Sequence, residues 1–242
     1  MIIIPTTPDL LGAMWEALID ISCGTHNGTW TLIGGQMVLL LGLEHGATPP
    51  RVSEDLDTVV DVRLRLGALQ QYIAALGRIS FESAGISPDE IAHRFHRGDI
   101  RIDVLAPEGT GSRADLRTVG QASTIGVKGG TYALRRSRQV EVQVGERTGF
   151  VPSPDLAGGI LIKARAAQNE RSPKGPERHY QDLAFLLTLV TDPVLVRGQL
   201  GHRNRQHLRR ILEDMGDAHP VWGLLSRADT SRARAALDLI CR

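Results

Sequence analysis

The chain has 242 residues, enough for one large domain or two modest ones with a sizeable core. Its 42% hydrophobic and 23% charged residues are those of an ordinary soluble globular protein, and no apolar run approaches the roughly 20 residues that span a bilayer, so no membrane partner is expected. The net charge of +1 divides unevenly: residues 1–150 carry 14 Lys/Arg against 17 Asp/Glu, and residues 151–242 carry 14 against 10. A weakly acidic front and a weakly basic rear are compatible with a metal site facing a polyanion-binding part. The opening MIIIPTTPDLLG lacks a basic stretch ahead of its apolar residues, which argues against a secretory signal. Cys23 and Cys241 lie far apart with no CxxC, which argues against a disulfide framework or a zinc site and for a cytoplasmic location.

In chain order, residues 8–22 place Leu10, Leu11, Met14, Trp15, Leu18 and Ile19 at helical spacing. TWTLIGG reads as a short strand stopped by two glycines, and QMVLLLGLEHG as an apolar helix. After a loop with two prolines, DLDTVVDVRL supplies the β-branched residues of a strand. LGALQQYIAALGR is a further helix; AHRFHRG and IRIDVLAP are extended, the latter with Ile100, Ile102 and Val104 alternating with polar residues. Residues 107–130, rich in Gly, Ser and Thr, read as connection, and residues 131–145 as one or two strands. A boundary is expected near GFVPSPDLAGG, where Ser153 caps a helix with Pro154 in its first position. Helices then follow over 154–169, 177–190, 202–215 and 229–240. The expectation is an α/β domain over residues 1–150, a mixed sheet flanked by helices, followed by a helical domain over residues 151–242.

The acidic pair in RVSEDLDTVV opens the chemistry. Residues i and i+2 of a strand share a face, so Asp55 and Asp57 can converge on one hard cation. Together without one they raise each other's pKa. Asp103, inside IRIDVL, is a third acid: if its strand neighbours that of Asp55, three carboxylates meet at one corner of a sheet. Gly34-Gly35 closes a strand and opens a helix, so backbone N–H groups there can approach a phosphate.

This constellation resembles the nucleotidyltransferase superfamily with a DNA polymerase β-like core. More closely, it is similar to the AbiEii/AbiGii toxin type, which includes mycobacterial tRNA-modifying toxins. Such sequences tend to read GG-x-A, a helix, HG, then R-x-[ST]-x-D-x-D. The corresponding residues here are Gly34-Gly35, His45-Gly46 and Arg51-x-Ser53-x-Asp55-x-Asp57. Extra residues separate HG from the arginine, and Gln36-Met37 stand where small residues are usual. A second block, LIKARAAQNERSPKGPERHYQDLAFLL, matches a family helix lysine and a later acid with Lys163, Arg165, Arg171 and Asp182. There His179-Tyr180-Gln181 precede the single retained acid.

The resemblance implies that Asp55, Asp57 and Asp103 are catalytic and hold Mg²⁺ or Mn²⁺ against the triphosphate of an NTP, with Asp103 binding a second ion or taking the acceptor proton. It implies that Gly34, Gly35 and Ser53 contact phosphate, that Lys163 and Arg165 neutralise its charge, and that Asp182 supports the lysine or contacts the nucleotide, with Lys163 and Asp182 also counted as catalytic. The implied activity is transfer of an NMP to an acceptor hydroxyl, an RNA or tRNA 3′ end, by a toxin of a toxin–antitoxin or phage-defence system with an antitoxin partner. HRNRQHLRR, residues 202–210, is a basic segment that could follow a phosphate backbone, although such spacing on a helix more often makes a solvated face. With aromatics only 4% of the chain, base stacking is not expected to be the main mode. Three other readings stand beside this one: a small-molecule or protein nucleotidyltransferase, a non-catalytic nucleotide-binding regulator or antitoxin, and some other α/β protein in which the acids are structural.

Overall fold

The structure, a computed structural model, describes residues 1–111, 114–169 and 175–242. In chain order its elements are β1 (Ile2–Ile4), α1 (Asp9–Gly24), β2 (Trp30–Ile33), α2 (Gly34–Glu44), β3 (Asp55–Val60), α3 (Ala68–Arg78), β4 (Glu82–Ser83), β5 (Arg94–Arg97), β6 (Ile100–Pro107), β7 (Arg117–Val119), β8 (Ala122–Ser123) and β9 (Gly126–Val127). There follow α4 (Gly130–Arg135), β10 (Ser137–Val144), β11 (Arg147–Pro154), α5 (Leu156–Asn169), α6 (Glu177–Thr188), α7 (Pro193–Gln199), α8 (His202–Asp214), a 3-10 turn (Pro220–Leu224) and α9 (Arg227–Cys241).

The larger sheet runs β2-β3-β6-β5-β4, with β9 beside the end of β6. Only its β3–β6 and β6–β9 pairs are parallel; β2–β3, β5–β6 and β4–β5 are antiparallel. A second sheet, β1-β10-β11, joins the chain start to the hairpin of residues 137–154. This is the mixed α/β arrangement, a mixed sheet flanked by helices, that the sequence leads one to expect. Helix α2 is apolar almost all round because it is covered on all sides, by β1, β2 and β3 and by α5 and α6. Each of its fully buried Leu and Val side chains is worth roughly 1.5–3 kcal/mol of transfer free energy. One buried apolar cluster runs from Trp15 and Leu18 of α1, through Ile102 and Val104 of β6, to Ile160 of α5, Leu186 of α6 and Leu237 of α9. Among the described residues no helix is long and apolar enough to cross a membrane.

Three local expectations are corrected. Residues 130–135 form α4, with the strand starting only at Ser137. The stretch 107–130 contains three short strands, β7 to β9. Ser153 is buried inside β11, opposite Arg138, and Asp155 takes the capping role, its Oδ1 accepting from the Gly158 amide at 3.0 Å.

Candidate active site

Strand register assembles the site. Asp57 of β3 lies opposite Asp103 of β6, and Asp103 in turn lies opposite Arg94 of β5. On its other side Asp57 pairs with Ile33, the last residue of β2. The chain turns into α2 immediately afterwards, at Gly34, with φ +70°. A Cβ on Gly34 would fall 1.9 Å from Asp57 Oδ2, so both the backbone conformation and the contact require glycine. Gly35 is pressed in the same way against Ser53, where a Cβ would lie 2.3 Å from the serine Cβ. Among the described residues no side chain caps the start of α2.

Gln36, unusual at its place in the motif, is fully buried and ties this turn together. Its Oε1 accepts from Trp15 Nε1 at 2.9 Å, and its Nε2 donates to the Ser53 carbonyl. The residue that departs from the small-residue pattern therefore holds the loop carrying Ser53 against the Gly34-Gly35 turn.

The carboxylates differ in their surroundings. Loss of water at the floor of the cleft, reinforced by the Asp103 charge and partly relieved by Lys163, pushes the Asp57 carboxyl up to about 6. Asp103 is gripped by Arg94: Nε donates to Oδ1 at 2.7 Å and Nη2 to Oδ2 at 2.8 Å. This fork holds the Arg94 guanidinium still more firmly protonated. Asp55 is the most open of the three, with Arg101 Nη1 3.9 Å from its Oδ1. Among the described residues no three His, Cys, Asp or Glu side chains stand ready as a metal cage. Asp55 and Asp57 nonetheless offer the hard oxygen donors of a site that takes one or two carboxylates plus substrate phosphates. Asp103 carries the same kind of donor, with each of its two oxygens already accepting one hydrogen bond from Arg94.

Across from the acids, α5 and α6 bring cationic groups. Lys163 is buried, its Nζ 2.7 Å from Asp182 Oδ2, and Arg51 Nη2 reaches the same oxygen at 2.9 Å. Arg178 and His179, at the start of α6, complete a cleft of about 210 Å³ lined also by Gly34, Gly35, Arg51, Ser53, Asp55, Asp57, Arg94, Asp103 and Lys163. Asp182 sits behind Lys163 rather than in this lining. Arg165 turns to α8, where its Nη2 lies 3.3 Å from Asn204 Oδ1, and is not among the lining residues. His45 closes the end of α2, its Nδ1 2.8 Å from the Leu41 carbonyl. Arg171 lies outside the described residues.

Arg94, Arg178 and the partnership of Arg51 with Asp182 were not found by sequence reasoning. Arg51 was visible in the motif, but its partner lies 131 positions away. For Arg94 the only signal is its alternation within HRFHR, which carries meaning once β5 is known to pair with β6.

No family model matches the chain, and no curated protein matches it. Among solved structures it is similar to an antigenic nucleotidyltransferase-like protein from Paracoccidioides brasiliensis, with a TM-score of 0.53 at 14% sequence identity. The likeness covers 95% of this chain and 94% of that one. The chain thus has a nucleotidyltransferase-like fold over nearly its whole length.

Proposed function

We propose that the chain is a metal-dependent nucleotidyltransferase that moves an NMP from an NTP to an acceptor hydroxyl, an RNA 3′ end, particularly of tRNA. The observation that carries this reading is the opposition, across one cleft, of same-face Asp55 and Asp57 to Lys163 and Arg178, with the uncapped start of α2 between them. Asp55 and Asp57 would hold a Mg²⁺ or Mn²⁺ ion, which when bound supplies charge stabilisation at phosphate oxygens in an in-line displacement.

The chain's own groups do the rest. The Gly34-Gly35 turn brings backbone N–H groups to the substrate phosphate, where the helix dipole favours negative charge. Lys163, held by Asp182, to which Arg51 also donates, presents a positive charge at a set position and needs no rearrangement as charge builds on the leaving pyrophosphate. Arg178 lowers the charge penalty on Asp57 from the opposite wall. The RNA acceptor is supported by the resemblance and by α8, whose His202, Arg203, Arg209 and Arg210 are exposed. A toxin role with an antitoxin partner rests on the resemblance alone.

The test is incubation of the full chain with each labelled NTP, Mg²⁺ and total RNA, beside Asp57→Ala. Label in tRNA with the wild-type chain alone is expected. Intact NTP binding without transfer to any macromolecule would sink the proposal in favour of a nucleotide-binding regulator.

A further inference from the structure

Of the three cleft carboxylates, Asp103 is the one whose two oxygens are both engaged. Arg94 stands directly opposite it on β5 and meets it as a fork, Nε on Oδ1 and Nη2 on Oδ2, at 2.7 and 2.8 Å. That is the strong bidentate geometry of a guanidinium–carboxylate pair. Asp55 differs: its nearest cation, Arg101, is 3.9 Å away, and both side chains are largely open to water. Such an exposed pair is weak and easily displaced. On the face formed by β3, β6 and β5, the sequence Asp57, Asp103, Arg94 runs across three adjacent strands at one level. A divalent ion at Asp103 would therefore lie against a positive charge that the sheet itself keeps in place.

We propose that Arg94 takes the place of a second metal ion. The cleft loads one divalent ion, through Asp55 and Asp57, and Asp103 serves as the anchor of a guanidinium. The fork uses Nε and Nη2, which leaves Nη1 to donate to a phosphate oxygen of the substrate. Arg94 lines the same cleft as Asp57 and Lys163, which puts the residue beside the space the substrate would take. The inference rests on the nucleotidyltransferase reading and narrows it: the fixed charge of an arginine, which cannot dissociate, replaces an ion that would have to be recruited.

The experiment counts bound Mn²⁺ by electron paramagnetic resonance on the full chain, without nucleotide. One ion per chain is expected for the wild type and two for Arg94→Ala, because Asp103, which also has His93 Nε2 3.9 Å from its Oδ2, is then rid of the guanidinium beside Asp57. Arg94→Lys should stay at one, since a positive charge still faces Asp103. Arg94→Ala/Asp103→Asn should return to one. Arg94 is about half exposed, and Arg94→Gln, which keeps the length of the side chain without its charge, repeats the measurement if the alanine variant folds poorly. Two ions on the wild type, or one on both Arg94→Ala and Arg94→Gln, overturns the proposal. If Asp57→Ala abolishes the single ion while the count is unchanged by Arg94 variants, the metal reading stands and the Arg94 role falls. Binding of no ion by any variant removes both.

Discussion

The floor of the cleft sets Asp57 between Asp103, in register on the next strand, and Asp55, two residues back on its own. Poor hydration and these two charges lift its carboxyl from the ordinary 3.8 to about 6. Between those values the folded chain binds a proton that the unfolded chain has released, so stability falls as pH rises through this window. Below 3.8 Asp57 costs nothing; above 6 the full penalty, up to about 3 kcal/mol, is present. Asp57→Asn removes the charge while keeping the size. With divalent ions chelated, its denaturant midpoint should exceed that of the wild type well above pH 6, and the difference should close below 3.8. A difference that stays constant across this range would place the effect in packing against Gly34 instead.

At the scale of elements, one carboxylate joins three parts of the chain. Asp182 of α6 accepts from Lys163 of α5 and from Arg51 in the loop leading to β3, both at Oδ2. Lys163 and Asp182 are only 5% and 4% exposed, whereas Arg51 is 33% exposed. Asp182→Ala leaves a buried ammonium without its partner, which costs about 3–5 kcal/mol. Arg51→Ala leaves the buried pair intact and should cost about 1 kcal/mol or less. The apolar exchange Lys163→Met/Asp182→Leu should recover much of the stability lost in Asp182→Ala, yet bind NTP no better. Urea midpoints and NTP titrations check each part; equal losses for Asp182→Ala and Arg51→Ala would show that the pair is not the buried anchor. These contacts also mark where sequence reading stopped. The strands holding Asp55, Asp57 and Asp103 were legible because β alternation and β-branching are local properties. The 130–135 helix was not, since GTYALR has too few apolar residues to show a period and is decided by packing against β11 and α5. The cap fell on Asp155 instead of Ser153 because pairing with β10 extends β11 to Pro154, a register that no local signal announces.

Across the whole molecule, the acids come from the sheet of the first half and Lys163, Arg178 and His179 from helices of the second, so the cleft requires both. The charge asymmetry readable in the sequence follows this division, and Gly34-Gly35 was legible as a strand-to-helix turn. The order of strands was not legible, and with it the place of Arg94. The basic face of α8 lies outside the cleft lining and tests the acceptor separately from the chemistry. Arg203 and Arg210 are exposed on that helix, while Leu208 and Ile211 are buried beneath it, so charge reversal there should leave the fold in place. If RNA lies along this face, Arg203→Glu/Arg210→Glu should raise the KM for RNA several-fold and leave the KM for NTP unchanged. The slope of log affinity for RNA against log salt should also fall by about 1.4, as expected for two lost contacts to a single strand. An unchanged salt slope would put the acceptor elsewhere. An unchanged slope together with transfer to a small hydroxyl compound would move the acceptor from nucleic acid to a metabolite-sized molecule, with Asp55, Asp57 and Lys163 keeping the same work.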